Sequence, residues 1–244
     1  MTDSSSNPAL SPSATASAVL PGFPPLPPPS RGRLITFEGP EGAGKSTQAA
    51  LLISKLEARG ITVLYSREPG GTPLGESIRQ ILQFNAAGEP PCPESEVLLF
   101  EASRAQLVRH VILPALEAGS WVVCDRYADS TTAYQGFGRS FPVSLIETLN
   151  RFAIGAAVPD MTLLLDVNVT LGLQRCIKRQ AGQTVKHDRI ESEALSFHEK
   201  VRRGYLELAR REPERFRVID AMRPVEAIHA DVWAAVQNAF FGVP

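Results

Sequence analysis

The stretch Gly39-Pro-Glu-Gly-Ala-Gly-Lys-Ser46 constrains this chain more than any other. It fits the Gly-x-x-x-x-Gly-Lys-Ser phosphate-loop pattern at every fixed position. Such a loop works only between a strand and a helix, and the flanks read that way. Leu34-Ile-Thr-Phe37 is a short apolar strand, and Thr47 to Arg59 places Ala49, Leu52, Ile53 and Leu56 at helical spacing before Gly60 ends it. The glycines let successive backbone N–H groups turn toward phosphate oxygens, and the helix N-terminus adds partial positive charge. Lys45 then reaches the β- and γ-phosphates and Ser46 offers a hydroxyl to Mg²⁺. The ATP-binding set is therefore Gly39, Pro40, Glu41, Gly42, Ala43, Gly44, Lys45, Ser46 and Thr47.

The rest of the chain alternates strands and helices. Further strands are expected at Ile61–Tyr65, Trp121–Cys124, Met161–Leu165 and Phe216–Ile219. Helices are expected at Leu74–Phe84, Ser95–Ala118 (kinked or restarted at Pro114), Val143–Gly155, Leu171–Arg179, Ser192–Arg211 and Val225–Phe240. The strands are continuous apolar runs, so both faces of the sheet are covered. The fold class is α/β: a three-layer α/β/α P-loop NTPase arrangement, with helices around a five-stranded parallel sheet. In such a sheet the polar residues just after the strands converge: Glu41, Arg67, Asp125 and Arg126. Residues 1–30 are rich in Pro, Ser and Ala and carry no basic residue; they read as a disordered tail rather than a targeting signal. Residues 31–244 form the domain. A net charge of −1 argues against non-specific nucleic-acid binding. No apolar run has the length of a membrane span, and the widely spaced Cys92, Cys124 and Cys176 suit reduced thiols in the cytoplasm.

A phosphate loop does not by itself separate kinases from GTPases or ATPases. The guanine-reading Asn-Lys-x-Asp segment is missing, and four co-linear blocks carry the argument further. They are Phe37 to Thr47, Arg67-Glu-Pro-Gly-Gly-Thr-Pro-Leu-Gly75, Leu99-Phe-Glu-Ala-Ser-Arg104 and Asp125-Arg-Tyr-Ala-Asp-Ser-Thr-Thr-Ala-Tyr-Gln-Gly136. With Asp188-Arg-Ile-Glu191 and Phe197 to Tyr205, they resemble thymidylate kinases, of the bacterial type with a basic lid, over roughly Arg33 to Phe240. The resemblance implies transfer of the γ-phosphate of ATP to dTMP. It implies that Glu41 faces the deoxyribose 3′-hydroxyl and that Arg67, Arg104 and Arg126 hold the acceptor phosphate. Phe100 would stack on thymine, while Ser130, Thr131, Tyr134 and Gln135 line base and sugar. Asp125 would lie near Mg²⁺, binding it through water, and Tyr134 or Tyr127 would wall off a 2′-hydroxyl.

Each residue has a plainer reading. Arg104 suits a solvated helix face, Arg126 a structural pair with Asp125, Glu41 a simple loop position and Phe100 the core. Asp166 suits a structural role better than a metal one. The phosphate loop's variable positions hold no basic residue, so the transition-state charge is expected to be met from a lid at about 175–191. Arg175, Arg179 and Arg189 are its candidates, beside Lys45, Arg126 and Asp125 as catalytic residues. Family members are homodimers, and the apolar helices over 94–116 offer a surface for one. Two rivals stand: another nucleoside monophosphate or deoxynucleoside kinase, and a P-loop protein that uses ATP as a switch.

Overall fold

The computed structural model describes residues 31–84, 86–180 and 189–242. The expected tail (1–30) and the middle of the expected lid (181–188) lie outside these residues. Strands β1 (Leu34–Glu38), β2 (Val63–Arg67), β3 (Trp121–Asp125), β4 (Met161–Asp166) and β5 (Phe216–Asp220) form one parallel sheet, ordered β2-β3-β1-β4-β5. The chain leaves β1 to one side for β2 and β3, then crosses to the other for β4 and β5. A crevice therefore opens above the carboxyl end of β1.

Side-chain alternation explains the apolar strands. Ile35, Phe37, Val123, Leu163 and Leu165 face a core closed by α1 (Lys45–Glu57) and α9 (Val225–Phe240). Leu34, Val122 and Cys124 face the opposite core, closed by α3 (Pro93–Leu107) and α4 (Leu113–Glu117). A third cluster joins Leu164 to α8 (Leu195–Arg211) through Val201 and Tyr205. The remaining helices are α2 (Pro73–Phe84), α5 (Ala128–Thr131), α6 (Val143–Ile154) and α7 (Val169–Gln180).

Two departures from the sequence reading have physical causes. Strand β2 starts at Val63 rather than Ile61, because the Ile61 N–H returns to Leu56 O (3.2 Å) and closes α1 behind the left-handed Gly60. Pro114 restarts the long helix as expected: α4 begins at Leu113 with the proline in its first turn, after a π-helical turn, Val108–Ile112. Residues 128–138, to which the sequence reading gave no element, form α5 and a π-helical run, Thr132–Gly138. The Ser, Thr and Gly of this segment have little helical propensity. Its first turn is held instead by Glu38, whose carboxylate accepts the N–H groups of Tyr127 (2.8 Å) and Ser130 (3.3 Å).

The phosphate loop is also fixed from a distance. Gly39 has φ 138°, and a Cβ there would lie 2.3 Å from the Leu165 carbonyl oxygen of the neighbouring strand. At Gly42 (φ 68°) a Cβ would lie 2.0 Å from Gly172 O at the start of α7. Both glycines are required by close backbone approach as well as by conformation.

Candidate active site

A cleft of about 550 Å³ lies above the carboxyl ends of the strands. Residues Glu41 to Gln48 form one side; Arg67, Phe100, Arg104, Asp125, Arg126, Ser130, Thr131, Tyr134 and Gln135 reach it from the other. Topology thus brings together the residues that the sequence placed after strands β1, β2 and β3.

On the phosphate-loop side, Lys45 is buried and its Nζ donates to the carbonyls of Gly39 (3.0 Å) and Pro40 (2.8 Å). Burial, helped by the nearby Arg126, lowers its pKa to about 8; Glu41 and Asp125 oppose that shift. Glu41 spans the cleft. Its Oε1 accepts from Arg126 Nη2 (2.6 Å) and the Tyr134 hydroxyl (2.8 Å). Burial alone would raise the Glu41 carboxyl, but Arg126, Lys45 and Tyr134 hold it at about 2. It is an ionised acceptor, not a plain loop residue. Arg126 pairs with Glu41 rather than with Asp125, and its guanidinium lies 5.1 Å from the Tyr134 ring centroid. Its φ of 68° is unusual for a residue with a side chain and is held by its N–H on Phe37 O (2.9 Å).

On the opposite side the outcome is more varied. Phe100 lines the cleft and also packs against the α8 cluster. Arg67 binds both oxygens of Glu76 (3.2 and 3.0 Å) and reaches the cleft beside Arg79, which the sequence reading missed. Ser130 Oγ contacts Glu38 Oε2 (2.6 Å) and Tyr205 Oη (2.7 Å). Tyr127 is corrected as a sugar wall: it is fully buried, donates to Ala157 O (2.9 Å) and stays outside the cleft lining.

Arg104 is neither a solvated charge nor a free phosphate clamp. Its side chain is 1% exposed. Nε donates to Glu68 (2.9 Å), Nη1 to Glu101 and Asn150 (both 2.8 Å), and Nη2 to Glu68 (2.7 Å), Thr131 (2.8 Å) and Tyr127 O (3.3 Å). Every guanidinium N–H has an acceptor, so none remains for an acceptor phosphate in this arrangement. Its task is to fix Thr131 and the β2–α2 loop against α3. Glu68, Glu101 and Asn150 carry no motif signal beyond their blocks, and the sequence reading passed over them.

The expected lid arginines part company. Arg175 lines the cleft and donates to Gly42 O (3.3 Å) and Ala221 O (3.0 Å). Arg179 lines it too, paired with Glu191 (3.0 Å). Arg189 is corrected: it binds Glu96 and donates to Leu82 O (3.3 Å), on the α2–α3 side and away from the cleft lining. Asp166 is held by both arms of Arg202 (2.6 and 2.7 Å), which supports the structural reading. Ser46 and Asp125 are oxygen donors lining the same cleft, chemistry suited to a hard divalent cation. Glu41, Cys176 and Glu191 also bring ligand-type atoms within 4.8 Å of one another, but both carboxylates are ion-paired, with Arg126 and Arg179.

Comparison with known proteins gives a consistent result. A family profile described as thymidylate kinase matches residues 37–232. The chain is 50% identical over 209 residues to a thymidylate kinase of Deinococcus radiodurans, covering 86% of this chain and 98% of that one. It is 52% identical over 202 residues to one from Thermomicrobium roseum, covering 83% and 93%. The crystal structure of thymidylate kinase from Ehrlichia chaffeensis superposes with a TM-score of 0.67 at 34% identity, covering 85% of this chain and 99% of that one.

The Arg104 knot generates a stability prediction. Arg104→Met strands two buried carboxylates and should cost about 3–5 kcal/mol in unfolding free energy, read by urea denaturation at pH 7.5. A loss below about 1 kcal/mol would restore Arg104 to a purely ligand-facing role.

Proposed function

The chain belongs to the thymidylate kinase family, and from that membership we propose how its cleft carries the γ-phosphate of ATP to dTMP. The activity is phosphorylation of dTMP to dTDP, with ATP as co-substrate. The observation that carries the residue-level reading is a single cleft bounded by the phosphate loop on one side and by Phe100, Arg126 and Gln135 on the other.

ATP places its phosphates over the backbone N–H groups of residues 41–47. Lys45 exchanges its bonds to Gly39 and Pro40 for the β- and γ-phosphates, whose charge favours its protonated form. Ser46 and Asp125 would hold Mg²⁺, which would shield the phosphate charge. The thymine lies on Phe100, with Gln135 and Thr131 along its edge and Ser130 and Tyr134 beside the sugar. Glu41 accepts the 3′-hydroxyl. Arg126 and Arg67 hold the acceptor phosphate, where planar guanidiniums offset the repulsion between two nucleotides. An oxygen of the dTMP phosphate attacks the γ-phosphorus in line, the bond to the β,γ-bridging oxygen breaks, and ADP leaves with that oxygen. Arg175 and Arg179 meet the charge on the transferring group. The enzyme forms no covalent intermediate, since positioning and charge stabilisation supply the catalysis.

Residues 31–244 act as one kinase domain in the cytoplasm. Among the described residues no helix is long and apolar enough to cross a membrane. The protein works as a homodimer through the 94–116 helices. Leu98 on α3 is 58% exposed, and on α6, which packs against α3, Phe152 is 87% exposed.

Three measurements test this reading. In a panel of monophosphates with ATP and Mg²⁺, dTMP gives the highest kcat/KM; a higher value for UMP, CMP or a deoxynucleoside favours a different kinase, and no monophosphate turnover favours a switch protein. Arg179→Ala lowers kcat at least tenfold with little change in KM for dTMP, and unchanged turnover removes Arg179 from the mechanism. Gel filtration gives twice the 26.4 kDa chain mass, and Phe152→Glu shifts it toward the monomer.

A further inference from the structure

Glu96 is a carboxylate that the mechanism above does not use. It sits on α3 one turn before Phe100 and is 1% exposed. Its Oε1 accepts from Gln135 Nε2 (2.8 Å) and Arg139 Nε (3.0 Å); its Oε2 accepts from Arg139 Nη2 (3.2 Å) and from Arg189. Burial alone would raise the pKa of Glu96, but the hydrogen bonds from Arg139, Gln135 and Arg189 outweigh it and hold the pKa below the usual value. Glu96 is therefore an ionised, acceptor-only group.

That fixes its neighbour. Gln135 is 1% exposed and lines the cleft. A primary amide has a donor end and an acceptor end, and a rotation of its plane exchanges them at small cost. A carboxylate can receive only the NH₂ end. The Gln135 carbonyl oxygen is thereby turned away from Glu96, leaving an acceptor for the cleft.

We propose that Glu96 is a positioning residue that orients the Gln135 amide so that its oxygen meets the acceptor base, selecting bases that carry a hydrogen on N3. This rests on the reading of Gln135 as part of the base pocket. Thymine presents an N3–H donor at that edge. Cytosine presents a bare N3 lone pair, which would face the amide oxygen acceptor to acceptor. A site built to satisfy a hydrogen bond rejects the base that cannot make it more strongly than a site relying on shape alone. Arg139 and Arg189 neutralise Glu96 without competing for Gln135, because each brings only donors. A glutamine at position 96 could instead offer either end, and the Gln135 amide would lose its preferred sense.

The test uses the full chain and measures kcat/KM for dTMP and dCMP in the wild type, Glu96→Gln, Gln135→Leu and the double variant. The expected result is a fall of about tenfold in the dTMP-to-dCMP ratio for either single variant, with no further fall in the double. A merely structural role would lower both substrates in proportion and leave the ratio unmoved; that result, or equal falls that multiply in the double variant, overturns the proposal. If Glu96→Gln does not fold, Gln135→Leu decides alone, since an unchanged ratio there is sufficient to reject it. A wild type that does not use dTMP at all is a different failure, of the base-pocket reading beneath the proposal.

Discussion

The side of the cleft opposite the phosphate loop depends on one buried carboxylate at the tip of β1. Glu38 accepts hydrogen bonds from the N–H groups of Tyr127 and Ser130, from the Ser130 hydroxyl and from Tyr205 on α8. Burial raises its pKa to about 7, with Asp129 adding to the shift and the hydrogen bonds opposing it. The residue after Glu38 is Gly39, where the phosphate loop begins. One side chain therefore sets the distance between the phosphate loop and the segment after β3, proposed above to face donor and acceptor. Direct transfer between two bound nucleotides needs that distance fixed, because misplacement by about an ångström can cost roughly two orders of magnitude in rate.

Around this anchor the buried charges come in compensated groups. Arg104 answers Glu68 and Glu101, Arg126 answers Glu41, Arg215 answers Asp129, and Arg139 with Arg189 answers Glu96. Such groups contribute little net stability, since desolvation offsets most of the attraction. They give one arrangement of side chains its preference over others. Lys45 differs: it rests on two neutral carbonyls, so a phosphate can recruit it without breaking an ion pair.

Much of this was legible in the linear chain. The spacing of Gly39, Gly44, Lys45 and Ser46 fixes a strand–loop–helix unit, because its glycines suit only a tight phosphate-binding turn. The apolar runs at Leu34, Trp121 and Met161, broken by Thr36 and Thr162 alone, fix a sheet covered on both faces, because neighbouring residues on opposite faces must then both be buried. The helix over 128–138 was not legible, since its cap comes from Glu38, some ninety residues earlier in the chain. Neither was the role of Arg104: its block marks it as special, but three of its acceptors, on Glu68, Thr131 and Asn150, come from separate segments.

The sequence by itself determined the parallel α/β architecture, the phosphate loop and the rim of the cleft, because each is written in local spacing or follows from strand order. Only the tertiary structure decided which cations face the cleft and which are consumed in buried pairs. It put Arg175 at the phosphate loop, Arg179 on the cleft lining beside Glu191, Arg189 on Glu96 and Tyr127 in the core. A guanidinium's task depends on which acceptors lie within about 3 Å of it, and that distance is set by folding, not by position along the chain.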